Sequence, residues 1–121
     1  MNSPLRDAVD GATICAISTA PGAGGIAVVR ISGQDALAFG SKVFSKPLDA
    51  IADRTVAFGR FRDAEGTVLD EGLALILRGP GSYTGEDTVE FNIHGSQFIQ
   101  REVMRALIEA GCRQAGPGEF T

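Results

Sequence analysis

Two charged residues stand in segments with strand character, and they are the first candidates for chemistry. Arg30 follows the apolar run Ile26-Ala27-Val28-Val29 and shares a period-two face with Ile26 and Val28. A guanidinium placed there needs an anion, because an unpaired buried charge is costly. That anion is either a carboxylate of this chain or a bound ligand. Glu90 lies in a stretch that alternates cleanly, with Val89, Phe91 and Ile93 on one side and Glu90, Asn92 and His94 on the other. If the polar side is solvated, Glu90 is a surface residue. If a pocket covers it, its carboxylate can accept two N–H bonds from one edge of a heterocycle, a charge-assisted pairing. His94 is the chain's one histidine. A histidine can act as acid or base near neutral pH, but no Ser or Cys nucleophile with a positioned third member accompanies it. No catalytic residue is therefore assigned.

Two glycine-rich stretches invite a phosphate reading, Thr19–Gly25 and Gly79–Glu86. A P-loop needs a Lys to reach the β- and γ-phosphates and a hydroxyl to hold magnesium; neither stretch has the Lys. A dinucleotide fingerprint joins a strand to a helix, whereas Gly22–Gly25 joins two strand candidates. The glycines read as tight turns. Cys15 and Cys112 lie far apart in apolar segments and read as buried free thiols rather than a disulfide or metal pair. One histidine and two scattered cysteines do not make a zinc site, and no metal ligand is assigned.

Positioning these side chains requires a frame. Residues 1–11 read as a flexible leader. Residues 12–18 and 26–31 read as strands. Ser32 with Asp35 three residues on has capping-box spacing, and residues 34–44 put Leu37, Gly40 and Phe44 on one helical face. Residues 45–53 read as a loop. Residues 54–62 and 67–77 form a hairpin about Asp63-Ala64-Glu65-Gly66. Residues 88–94 are a strand, and residues 97–110 carry Ile99, Val103, Leu107 and Ala110 on one helical stripe that Gly111 ends. A short strand near residues 112–115 follows. The order ββα, ββ, βα, β is not a regular βαβ alternation; it predicts an α+β domain with a mixed or antiparallel sheet and helices on one face.

The 121 residues suffice for one core. The net charge of −4 argues against this domain as the main holder of a phosphate backbone. There is no run of 18 apolar residues to span a membrane and no apolar h-region at the N-terminus, so a cytoplasmic protein is expected.

Three segments together resemble the MnmE (TrmE) family of tRNA-modifying GTPases. Residues 19–33, TAPGAGGIAVVRISG, resemble its T-x-P-G-x-G-G-I-x-x-x-R-I-S-G opening, with Ala20 and Ala23 where many relatives have Pro and Arg. Ser82-Tyr83-Thr84-Gly85-Glu86-Asp87 with Glu90 resembles S-[YF]-T-G-E-D-x-x-E, and Pro117-Gly118-Glu119-Phe120-Thr121 resembles P-G-E-F-[ST]. The segments occur in family order across residues 12–121. The resemblance implies an N-terminal α+β domain like the folate-binding domain of the glycine-cleavage aminomethyltransferase. Such a domain binds a tetrahydrofolate derivative (5-formyl- or 5,10-methylene-tetrahydrofolate) and forms a homodimer. With the flavoprotein MnmG, the whole protein adds an aminomethyl-type group to C5 of the tRNA wobble uridine. Two folate-contacting residues of the family fall on Arg30 and Glu90. The resemblance places a further lysine just past the P-G-E-F-T segment, and GTP, magnesium and potassium in a GTPase domain, all outside these residues. Two other readings stay open: a structural dimerisation module without folate, and a stand-alone folate-dependent aminomethyltransferase.

Overall fold

The computed structural model describes residues 11–18, 25–79 and 86–119. The expected leader and most of both glycine-rich stretches lie outside the described residues. The chain forms β1 (Ile14–Ile17), β2 (Ile26–Ser32), α1 (Ala36–Val43), a 3₁₀ turn (Leu48–Ala50), β3 (Val56–Arg62), β4 (Val68–Leu77), β5 (Thr88–His94), α2 (Gln97–Ala110) and β6 (Arg113–Gln114). The strands make one mixed sheet in the order β3-β4-β5-β2-β1-β6. All pairs are antiparallel except β1 with β6. This is the α+β architecture expected from the element order.

Alternation along each strand divides the sheet into two faces. Cys15, Ala27, Val29, Ile31, Val89, Phe91, Ile93, Ala74, Ile76 and Phe61 join one buried cluster with Ala36 and Val43 of α1 and Val103 and Leu107 of α2. Both helices therefore cover this face. At its centre three rings meet, with centroids 4.8 Å apart for Phe61 and Phe91 and 5.3 Å for Phe44 and Phe61. A strand glycine lets that cluster close: a Cβ on Gly59 would stand 2.5 Å from the Phe44 ring.

Local chemistry sets the element ends. Asp63 Oδ1 accepts the Glu65 and Thr67 amides in the β3–β4 turn, and Gly66 takes φ +86°. Ser96 caps α2 by accepting the Ile99 amide, and Gly111 ends it at φ +132°. The start of α1 departs from the capping-box expectation. Ser32 is the last residue of β2 and is buried, and the Asp35 side chain caps nothing. Instead Thr13 Oγ1 accepts the Asp35 amide from across the sheet edge. A side chain distant in sequence supplies what the local spacing suggested. The helix is correspondingly shorter than residues 34–44, and Phe44 leaves it to bridge Phe61 of β3. The loop expected over residues 45–53 contains the 3₁₀ turn, held by Arg78, whose Nη2 donates to the carbonyls of Asp49 and Ile51.

Removing the central ring tests this core. Phe91→Ala should lower the unfolding free energy in urea by about 3–5 kcal/mol, whereas Phe98→Ala, at a residue 62% exposed, should change it by less than about 0.5 kcal/mol. Equal losses would contradict the assignment of the core to this face.

Candidate functional site

The β2–β5 ladder pairs Arg30 with Glu90 directly across the strands, on the face away from the helices. Arg30 Nε donates to Glu90 Oε2 at 2.9 Å, and Nη2 approaches the same oxygen at 2.8 Å. The side chains are 18% and 19% exposed. The strand pattern left two candidates for the Arg30 counter-ion, and the structure supplies the carboxylate of this chain. Both contacts fall on Oε2. Among the described residues no hydrogen bond is made to Oε1, so the carboxylate is oriented through Oε2.

The pair sits in a cross-strand row, Ala16–Arg30–Glu90–Leu75. The next row is Val28–Asn92–Leu73, and the next pairs Ile26 with His94. Around the pair, then, the open face is largely aliphatic. Ile26, Val56, Phe58 and Leu73 are exposed, with Phe58 at 56%. A charge pair set among apolar side chains is less screened than one in open solvent.

The polar stripe Glu90, Asn92, His94 divides in the structure. Glu90 belongs to Arg30. His94 is engaged elsewhere: its Nδ1 lies 2.8 Å from Asp70 Oδ1, and its backbone amide donates to Asp70 Oδ2 at 2.7 Å. Asp70 is 9% exposed and His94 70%. Sequence reasoning missed Asp70, since only the β4–β5 pairing brings it to His94. A carboxylate can only accept, so this contact has Nδ1 as the donor to Asp70.

Two motif acids prove to hold backbone. Asp87 Oδ1 accepts the Gly79 amide, and its carbonyl accepts the Gly33 amide, tying the second glycine-rich stretch to the end of β2. Glu119 forms a two-point pair with Arg113 and accepts the Gly116 amide, so the P-G-E segment folds back onto β6. Cys15 and Cys112 are buried free thiols, as expected. Their mutual hydrogen bond, with burial, pushes the Cys112 thiol well above its ordinary range, which disfavours a thiolate there, while the same hydrogen bond lowers Cys15. Among the described residues no three His, Cys, Asp or Glu side chains gather to hold a metal ion, and no helix is long and apolar enough to cross a membrane.

With this geometry in place, comparison with known proteins gives a consistent result. The family described as "GTP-binding protein TrmE N-terminus" matches residues 13–121. The chain is 53% identical over 112 residues to a tRNA modification GTPase MnmE of Halorhodospira halophila, covering 93% of this chain and 23% of that protein. It is 46% identical over 114 residues to the protein of the same name from Parabacteroides distasonis, covering 90% and 25%. It is 45% identical over 111 residues to that of Protochlamydia amoebophila, covering 92% and 24%. The chain thus spans about a quarter of the length of the curated relatives it matches. It belongs to the TrmE N-terminus family, and corresponds to the N-terminal domain of MnmE.

Proposed function

We propose that this chain is the reduced-folate-binding and self-associating domain of a cytoplasmic GTPase that, with the flavoprotein MnmG, adds an aminomethyl-type group to C5 of the tRNA wobble uridine. The relatives' shared name supports the tRNA-modifying and GTPase parts of this reading. GTP, magnesium and potassium belong to the portion of such proteins outside these 121 residues.

The observation that carries the folate part is the Arg30–Glu90 pair. A pterin presents a ring N–H beside an exocyclic amine, two donors in one plane. A carboxylate matches that edge when it is ionised and its direction is held. Arg30 holds the direction of Glu90 through Oε2, and Oε1 takes no hydrogen bond among the described residues. Because Glu90 already balances the Arg30 charge, Arg30 is suited to a neutral carbonyl of the cofactor rather than a carboxylate. The bound folate supplies the one-carbon unit; the residues here bind it and fix its orientation.

Self-association draws on the same face. Ile26, Val56, Phe58 and Leu73 leave apolar surface exposed on one side of the sheet, and contiguous apolar patches of this kind mark protein contacts. A second copy of the chain is the occupant proposed.

Two measurements test these parts separately. Glu90→Gln in the full-length protein should weaken 5-formyl-tetrahydrofolate binding by about tenfold or more in calorimetric titration, the loss of a charge-assisted hydrogen bond. An unchanged affinity would sink the Glu90 assignment, and no binding by the wild type would leave a structural dimerisation module. In light scattering across concentration, the wild-type chain should run at twice its 12.6 kDa mass and Phe58→Glu should run as a monomer. A wild type that stays monomeric throughout removes the dimer.

A further inference from the structure

The two cysteines take no part in the proposed site, yet the fold brings them together. Cys15 is the second residue of β1, and Cys112 stands between α2 and β6. The β1–β6 ladder is parallel and pairs Ile14 with Arg113 and Cys15 with Gln114. The Arg113 amide donates to Thr13 O at 2.9 Å. Cys112, one residue before Arg113, therefore lies in the row of Thr13. Side chains two residues apart on a strand share a face. Cys15 and Cys112 are thus close neighbours on the helix side of adjacent segments, and both belong to the buried core, at 0% and 4% exposure. Their thiols are hydrogen-bonded to one another.

The contact is asymmetric. The hydrogen bond holds the Cys15 thiol below its ordinary value, against the upward push of burial, and raises that of Cys112. Cys15 is the thiol readier to ionise and attack an oxidant, and Cys112 is the neighbour placed to resolve the product. Burial shields both, but Cys112 borders a weakly held edge. β6 has two residues, is the last strand of the sheet, and is joined to β1 through the Arg113 and Ala115 amides. Small elements with few buried contacts open locally at low free energy, and an oxidant near the size of water enters when they do.

We propose that Cys15 and Cys112 form a redox-sensitive fastener, which hydrogen peroxide closes into a disulfide between β1 and the start of β6. In the first step the Cys15 thiolate attacks a peroxide oxygen. The O–O bond breaks, Cys15 becomes a sulfenic acid, and the departing hydroxide takes up a proton to leave as water. In the second step the Cys112 sulfur attacks the Cys15 sulfur. The S–O bond breaks, the Cys112 proton passes to the leaving hydroxide, and a second water departs. Two thiols lose two electrons in all, and one hydrogen peroxide is reduced to two waters. A small dithiol reverses the bond by exchange. The sulfurs must close from hydrogen-bond contact to about 2.0 Å, a movement that a two-residue edge strand can follow. Arg113 pairs with Glu119, which also accepts the Gly116 amide. A bond at Cys112 therefore pins the Gly116–Glu119 turn along with β6.

The test treats the full-length protein with hydrogen peroxide, alkylates the remaining thiols and maps tryptic peptides without reduction. Cleavage releases Cys15 in residues 7–30 and Cys112 in residues 106–113. The expected product is one joined peptide pair, lighter than its two reduced parts by two hydrogens and separated by dithiothreitol. Amide hydrogen exchange at Arg113 and Ala115 should slow by roughly tenfold or more on oxidation. In Cys112→Ser, Cys15 should keep a sulfenic acid that dimedone labels, whereas the wild type resolves it and takes little label. The proposal is overturned if both thiols of the treated wild type stay free. It is also overturned if Cys15 proceeds to sulfinic or sulfonic acid, or joins another cysteine, without bonding Cys112. A bond that forms while exchange in β6 is unchanged overturns it as well, because the disulfide then fastens nothing.

Discussion

The antiparallel ladder between β2 and β5 is the constraint on which the remaining structure depends. Seven residue pairs run from Ile26 with His94 to Ser32 with Thr88. Because side chains alternate, this register does two things at once. It sends Ala27, Val29, Ile31, Val89, Phe91 and Ile93 toward the helices, and it sets Arg30 opposite Glu90 on the other face. A slip of one residue on β2 would turn Arg30 into the apolar core and expose Val29 and Ile31. A slip of two would preserve the faces but separate the charges, leaving two partly buried ions without partners. The hydrophobic pattern thus excludes odd slips, and the ion pair penalises even ones. Core and candidate site are specified by the same pairing and cannot drift independently.

What surrounds the ladder secures the chain where it leaves the sheet. Much of this work falls to carboxylates accepting backbone amides: Asp63 in the β3–β4 turn, Asp53 on the Arg78 amide, Asp87 on Gly79, Asp70 on His94 and Glu119 on Gly116. An acidic balance need not describe the surface offered to partners when so many acids are occupied in holding turns. This also explains two of the motif residues. Asp87 and Glu119 sit in segments that resemble family signatures, yet their contacts within this domain fix loop geometry.

The elements legible in the sequence were those with local causes. Residues 88–94 alternate so regularly that β5 has the expected bounds, and the stripe through Val103 and Leu107 with Gly111 behind it marks α2 from end to end. The β3–β4 hairpin follows from its turn residues. Features that depend on distant pairing were not legible. Thr13 capping the approach to α1, Asp70 reaching His94, and Arg30 finding Glu90 all join segments at least 22 residues apart. Arg30 and Glu90 stood out singly because each interrupts an apolar or alternating pattern. Their partnership needed the strand order, in which β5 lies beside β2 although two strands and a helix separate them along the chain.

That partnership changes the chemistry expected of each residue. An isolated arginine on an apolar face would attract the most negative group of any ligand. One already balanced by Glu90 contributes little net charge, so exchanging its carboxylate for a ligand carboxylate would gain little and would leave Glu90 uncompensated. The pair is better matched to a neutral, flat group with both donors and an acceptor along its rim, such as the amide edge of a pterin. It gains from being held on the central strands of a rigid sheet, since a pre-oriented carboxylate loses less freedom on binding.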